Sequence, residues 1–261
     1  GNLVWEHQDP FQHHDVRRLA SGNTHYLAWE ELSDEQAARV QGGLPGTELD
    51  GKIWGDCLRE VTPGGELVWE WHAYDLEIEN YPVCASCHRA EFAHGNTCAP
   101  MENGDIMLSF RVLNTIMIIE RLTGKVKWER HDPAFGHQHD CHMLDNGNIL
   151  LFCNGYHTPD NSHSKVIELD PESGETKWEY MANPVLGFFS PHISGAQRLD
   201  SGNTLICEGS KGHLFEVTPE GETVWDYICP YFHVDERWGE LNWIFRAYRY
   251  AADSPQIRNR V

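Results

Sequence analysis

One strand-and-turn unit recurs in phase along this chain, and it restricts the fold more than any other feature. Each copy runs through a glycine-centred turn, a strand, a loop, a third strand, a second turn and a strand carrying one tryptophan. The first turns are Ser21-Gly22-Asn23, Asn103-Gly104-Asp105, Asn146-Gly147-Asn148 and Ser201-Gly202-Asn203. Glycine there supplies the positive φ of a tight hairpin. The second turns are TPGGE (62–66), RLTGK (121–125), PESGE (171–175) and TPEGE (218–222). They feed Val68-Trp69-Glu70, Lys127-Trp128-Glu129, Lys177-Trp178-Glu179 and Val224-Trp225-Asp226, and the opening Leu3-Val4-Trp5-Glu6 is a fifth copy of that last strand. Short antiparallel strands with the same hairpin chemistry each time predict an all-β fold of β-propeller type. A sandwich would not repeat its turns in phase.

The blades are expected at about 14–71, 94–130, 139–180 and 192–227, within a single domain spanning 1–261. Residues 2–7 read as an outer strand. Residues 242–250 read as an inner one, with Trp243, Phe245 and Ala247 alternating, so the two ends are expected to share a last blade. About five blades are represented. The middle strands of the shared blade are missing, which predicts an upstream segment or a partner chain that completes it; the alternative is a five-bladed ring with a poor last blade. Between the second and third strands of the blade at 14–71, LSDEQAARV predicts a short helix capped by Ser33.

Forty acidic against 20 basic residues give a formal charge of −20, which argues against nucleic acid as a partner. No run approaches the roughly 20 apolar residues of a membrane helix, and the opening GNLVWEHQDP has no signal-peptide pattern. Hydrophobic residues at 40% can form a packed core, which excludes a disordered chain. Cys153 and Cys207 sit in apolar strands and mildly favour a reducing compartment; the location is otherwise open. The expected partner is a small-molecule substrate.

Aligning the copies on the first-turn glycine brings histidines into register. Ten residues before it stand Gln12, His94, His137 and His192. Eight before it stand His14, Asn96, His139 and Ser194, and seven after it Trp29, Arg111, Asn154 and Gly209. Residues two apart on a strand point the same way. His14, His94, His137, His139 and His192 are therefore expected to converge at one mouth of a central channel, with Arg111 returning to the same face. Trp29, Asn96, Asn154 and His192 would line the site, as would His157 in the 155–164 loop. Asp15 and Asp140 would face away on a regular strand, or could orient a ring histidine of a neighbouring blade. His7, His25, His72, His131, His163, His213 and His233 lack the phasing and read as ordinary polar residues, and His142 as a packing residue.

Such a ring suits two chemistries. A neutral imidazole can attack as a nucleophile while other histidines and an arginine bind the oxyanions of a phosphoryl or sulfuryl group. Alternatively, three or four neutral histidines can hold zinc or another first-row metal, as in a metal-dependent hydrolase or lyase. A third class, a non-enzymatic binding propeller, is disfavoured because converging His and Arg cost desolvation unless a ligand uses them.

The HHD at 13–15, His94-Gly95-Asn96, the strand-end Arg111, GHQHD at 136–140, FFSPHISGAQRL at 188–199 and FRAYRY at 245–250 resemble bacterial arylsulfate sulfotransferases and their relatives, over nearly the whole chain. The resemblance implies a six-bladed propeller in the full protein, with an upstream blade. It implies an enzyme that moves a sulfuryl group between phenols through a sulfated histidine, with no nucleotide donor and no required cofactor. By motif, His94 and Asn96 would bind oxyanions, Arg111 would clamp the sulfate and His14 would be a further site histidine. The nucleophile would fall in GHQHD, where His139 shares the phase of His14 and is preferred to His137. Relatives work in the periplasm or the cytoplasm.

Outside the repeat, Tyr81-Pro82-Val83-Cys84-Ala85-Ser86-Cys87-His88 joins two blades shortly before His94. C-x-x-C-H is the attachment pattern of c-type haem, disfavoured here because no small helical haem domain surrounds it. Zinc or another transition metal on Cys84, Cys87 and either Cys98 or His88 is one reading. A redox pair or disulfide at Cys84 and Cys87 is another, and an inert loop a third.

Overall fold

Four copies of the unit each become one four-stranded antiparallel sheet in the computed structural model, which describes residues 2–158, 162–254 and 257. The fold is all-β, made of the sheets from which propeller blades are built. Two units divide the chain after Cys141.

The first unit opens with β1 (Gln12–Arg18) and β2 (Thr24–Glu31), the helix α1 (Asp34–Arg39) and the short strand β3 (Gly42–Leu44). β4 (Trp54–Val61) and β5 (Leu67–His72) complete a sheet of order β1-β2-β4-β5. The helix starts where expected, because Ser33 Oγ accepts from the Gln36 N–H while the Gln36 side chain accepts from the Ser33 N–H. β6 (Val83–His88) pairs parallel with β3. The second sheet follows in chain order as β7 (Gly95–Pro100), β8 (Ile106–Phe110), β9 (Thr115–Ile119) and β10 (Val126–His131). Leu27, Leu58, Phe92, Ile106, Leu108 and Phe110 are fully buried between these elements.

β11 (His139–Met143) crosses the division and is the edge strand of a sheet with β12 (Ile149–Cys153), β13 (Lys165–Leu169) and β14 (Thr176–Tyr180). The second unit also holds the sheet β15 (Gly195–Arg198), β16 (Thr204–Glu208), β17 (His213–Val217) and β18 (Thr223–Ile228), and a hairpin of β19 (His233–Asp235) and β20 (Gly239–Leu241). Phe152, Phe188 and Phe215 are the large core side chains of this unit. Among the described residues no helix is long and apolar enough to cross a membrane.

The Gly-Asn turns do more than reverse the chain. Asn23, Asn148 and Asn203 donate through Nδ2 to Glu60, Glu168 and Glu216, at 2.6, 2.6 and 2.7 Å. Each glutamate is buried on the third strand of its sheet. Each also pairs with an arginine from further along the chain: Arg121, Arg198 and Arg249. The same arginines lie over the repeat tryptophans Trp69, Trp178 and Trp225, at 5.3, 4.8 and 5.0 Å from the ring centres. A buried carboxylate is tolerated only when paired and hydrogen-bonded, and the turn amide and the arginine supply both needs. The arginine gains a cation–π contact in return. The turn Asn103-Gly104-Asp105 departs from this, with Asp105 bound to Lys127 at 2.7 Å.

Two expected strands are absent. Residues 2–7 form no strand; Trp5 instead donates from Nε1 to the Pro63 carbonyl at 2.9 Å and packs on Tyr26, Ala28 and Val61. Residues 242–250 form none either. They bind through scattered contacts: Ser194 N–H to the Phe245 carbonyl, Ile244 N–H to the Gly209 carbonyl, and Arg249 N–H to Gln197 Oε1. A loop and a side chain serve as partners, so no ladder of consecutive backbone pairs forms.

Candidate active site

The innermost strands of the first unit are bulged, and the bulges aim the side chains. In the β1–β2 ladder His13 faces Leu27 while Val16 faces Tyr26, so His14 and Asp15 are both extra residues. His14 adopts a left-handed φ of 49°. A bulge bends its strand and re-aims side chains. Asp15, expected to face away, is instead fully buried and accepts from the Cys98 N–H (2.9 Å), the Val16 N–H (3.0 Å) and Arg17 Nε (3.0 Å). Asp140 lies 3.6 Å from the same arginine. Asp15 thus stands at a bulge and not on a regular strand.

His14 meets His94 at 4.7 Å between ring centres. His13 stacks on Trp29 at 3.8 Å, with its Nδ1 2.7 Å from that of His14. Trp29 pairs across β2 and β4 with Asp56, whose Oδ1 lies 3.3 Å from His13 Nε2 and accepts the Gly95 N–H at 2.7 Å. A Cβ on residue 95 would sit 2.8 Å from that oxygen, so a larger residue there would have to displace the Asp56 carboxylate. His94 bonds through Nδ1 to the carboxylate of Glu91. Ala93, His94, Asn114, His137 and Asp140 join His14 with positive φ. Strained non-glycine backbone of this kind gathers at functional sites.

The electrostatics suit an anion. Burial, and then the charges of His94, His13, His139 and Arg111, hold His14 far below the ordinary imidazole range, so it is neutral. Burial opposes ionisation of Glu91, but its bond to His94 and the charges of His94, His13 and Arg111 hold it below its usual value. Arg111 follows the end of β8, and its N–H donates to the His94 carbonyl at 3.0 Å.

The GHQHD segment is anchored from several sides. Gly136 is left-handed at φ 58°. The His137 N–H donates to Asn114 Oδ1 at 2.8 Å, and Gln138 Nε2 donates to Ser109 Oγ and to the Phe110 and Thr115 carbonyls. His139 is buried, with Nδ1 3.0 Å from the His137 carbonyl. A carbonyl only accepts, so Nδ1 carries the proton and Nε2 the lone pair.

Two of the expected site residues make contacts that the spacing did not suggest. Asn96, the extra residue of a bulge between β7 and β8, donates from Nδ2 to the Gln138 carbonyl at 2.8 Å. It braces the segment that carries His139. His137 turns to the cysteine loop, with Nε2 3.4 Å from Cys87 Sγ. The ligand atoms of Cys84, Cys87 and His137 lie within 4.8 Å of one another. The expected third ligands are elsewhere: His88 is exposed and Cys98 is buried in the core on β7.

Three expected residues lie in the second unit. Asn154 is buried and donates from Nδ2 to the Ser190 and Ile193 carbonyls at 2.8 and 2.9 Å. His192 packs edge-on against Trp243 at 4.4 Å, and His157 stacks on Tyr156 at 3.9 Å. Residues 159–161 of the 155–164 loop lie outside the described residues. The unphased His25, His72 and His213 are bound to Glu60, Glu30 and Glu208.

Sequence reasoning missed His13, Asp56, Glu91 and Gln138. His13 stood in the HHD motif, adjacent to the aligned position, so its presence was a signal. Asp56 and Glu91 carry none, because neither recurs at a matching place in the other copies.

A family model described as arylsulfotransferase (ASST) matches residues 46–229. No curated protein matches the chain. Among solved structures, a Bacteroides caccae protein of unknown function is 16% identical, with a TM-score of 0.49 over 81% of this chain and 65% of that one. Virginiamycin B lyase from Staphylococcus aureus, crystallised as an inactive variant with quinupristin, is 14% identical, with a TM-score of 0.47 over 83% and 55%. BamB from Moraxella catarrhalis is 15% identical, with a TM-score of 0.37 over 77% and 51%. The matched region of this chain thus spans about half to two thirds of the length of these structures.

Proposed function

The chain belongs to the arylsulfotransferase family, and from that premise we propose that it transfers a sulfuryl group from an aryl sulfate ester to a phenolic acceptor, with His139 as nucleophile. The observation that carries the reading is the His139 Nδ1 bond to the His137 carbonyl, which directs the lone pair to Nε2. His139, Arg111 and His94 each lie close enough to His14 to disfavour its protonation.

In this mechanism His139 Nε2 attacks the sulfur, an N–S bond forms and the S–O bond to the aryl group breaks. The departing phenolate takes a proton from the His94–Glu91 pair. The acceptor phenol then returns its proton to that pair as its oxygen attacks the sulfur, and His139 is released. Arg111 stabilises the sulfuryl oxygens, a task for which its planar fork of donors is suited. Neutral His14 offers a hydrogen bond there without a competing charge.

The test is release of nitrophenolate from 4-nitrophenyl sulfate with and without a phenol acceptor, alongside intact mass of the protein caught without acceptor. The reading expects acceptor-dependent release and a mass gain of one SO3 group, mapped to His139. Acceptor-independent hydrolysis, or a sulfated residue other than His139, would overturn it.

A further inference from the structure

We propose that Cys84, Cys87 and His137 form a thiolate-rich site for zinc, or a similar soft divalent metal, which fastens the GHQHD segment to β6. The sulfuryl-transfer reading uses none of these three side chains, only the backbone carbonyl of His137, and the metal site is tested separately from it.

The backbone explains how two cysteines three apart can face one point. On a regular strand, residues three apart lie on opposite faces. In the β3–β6 pair, however, Gly42 faces Val83 and Leu44 faces His88, so β6 holds more residues than its partner and arches between them. Cys84 and Cys87 stand within that arch. The arch is held at close range, since a Cβ on Gly42 would lie 2.1 Å from the Val83 carbonyl. The Val83 N–H donates to the Gln41 carbonyl and the Cys84 N–H to the Val112 carbonyl, at 2.9 and 2.8 Å.

His137 arrives from a segment fixed independently of the cysteines, by Asn114 at its N–H and by left-handed backbone at Gly136 and His137. Its Nε2 lies 3.4 Å from Cys87 Sγ. Zinc bonds of about 2.3 Å to sulfur and 2.0–2.1 Å to nitrogen at a tetrahedral angle put S and N about 3.5 Å apart. The observed spacing is therefore that of one edge of a zinc tetrahedron. Cys87 and His137 are buried and Cys84 is partly exposed, which gives a metal a dry seat and an entry side. Two thiolates and an imidazole select zinc, cobalt or cadmium over magnesium or calcium. Binding turns two thiols into thiolates, so two protons leave for each metal taken up.

The three ligands join parts of the chain 50 residues apart, and His139 lies two residues beyond His137. The metal would thus hold the backbone carbonyl that sets the His139 tautomer.

The experiment uses the full chain, reduced and freed of metal, titrated with Co2+ and separately with Zn2+. The expected result is one metal per chain, with the thiolate-to-cobalt charge-transfer band and the visible bands of a tetrahedral site. Cys84→Ser, on the partly exposed ligand, should lower the charge-transfer intensity by about half, as one of two Co–S bonds is lost, while far-UV circular dichroism is unchanged. Cys87→Ala and His137→Ala should lose stoichiometric metal, and His88→Ala should keep it. No binding by the folded, reduced chain overturns the proposal. So does a native Cys84–Cys87 disulfide found by mass spectrometry, or full cobalt binding in the Cys84→Ser Cys87→Ala double variant.

Discussion

The Nδ1 atom of His139 lies 3.0 Å from the carbonyl oxygen of His137, inside the protein. An asparagine at 139 can keep that bond through its amide N–H while offering no nucleophilic nitrogen. His139→Asn is expected to leave Tm unchanged within about 2 °C, since one neutral donor replaces another. It should lower kcat for aryl sulfate by at least about 10³-fold, the scale for loss of a nucleophile. Nitrophenolate release and thermal denaturation check both halves.

Arg111 separates charge from geometry. Arg111→Ala should lower kcat/KM by about 10²–10³-fold, as for removal of a donor to a developing oxyanion. Arg111→Lys keeps the charge but loses the fork, and its rate should fall between wild type and Arg111→Ala. Equal losses in the two variants would show that the donor geometry carries the whole effect.

Gly95→Ala tests the brace at the base of the site. Its new Cβ would lie 2.8 Å from Asp56 Oδ1, which also accepts the Gly95 N–H. Overpacking of this sort costs about 1–3 kcal/mol. Urea denaturation should show that loss, and it should be smaller when Gly95→Ala is made on an Asp56→Ala background.

Glu168 binds the Asn146 and Asn148 amides at 2.8 and 2.6 Å and pairs with Arg198 at 3.0 Å. Glu168→Ala removes the shared acceptor. Stranded buried donors cost about 1–3 kcal/mol, and urea denaturation should report a change of that size. A change below about 0.5 kcal/mol, the size typical of surface substitutions, would show that the turn amides and the arginine find other partners.

Two histidines give the stability opposite pH slopes. His72, hydrogen-bonded to Cys57 and to Glu30, is raised from 6.5 to about 10. Its folded form holds the proton more tightly, so its contribution is complete below pH 6.5 and is lost as pH rises to about 10. His72→Gln should flatten the fall in stability over that interval. His14 is shifted down, so the unfolded chain binds the extra proton and His14 lowers stability as pH drops through 6.5. Its ring nitrogens should show no titration by NMR between about pH 5 and 8.

Local chemistry was enough to read the strand-and-turn unit, the Ser33 helix start and the phasing of His14, His94, His139 and Arg111. Turn glycines, caps and alternation depend on neighbours a few residues away, so they are written directly in the chain. Folding added the contacts made at long range. Asp15 turns inward because its carboxylate finds the Cys98 N–H 83 residues along, and that contact fixes the bulge that aims His14. His137 is held at its N–H by Asn114, 23 residues earlier, and its Nε2 stands beside Cys87, 50 residues earlier. Asn96 braces Gln138 because a bulge in β7 leaves it without a partner on β8. A regular strand would have put each of these side chains where period-two reading placed it. The bulges and the distant partners that hold them exist only once the strands have packed.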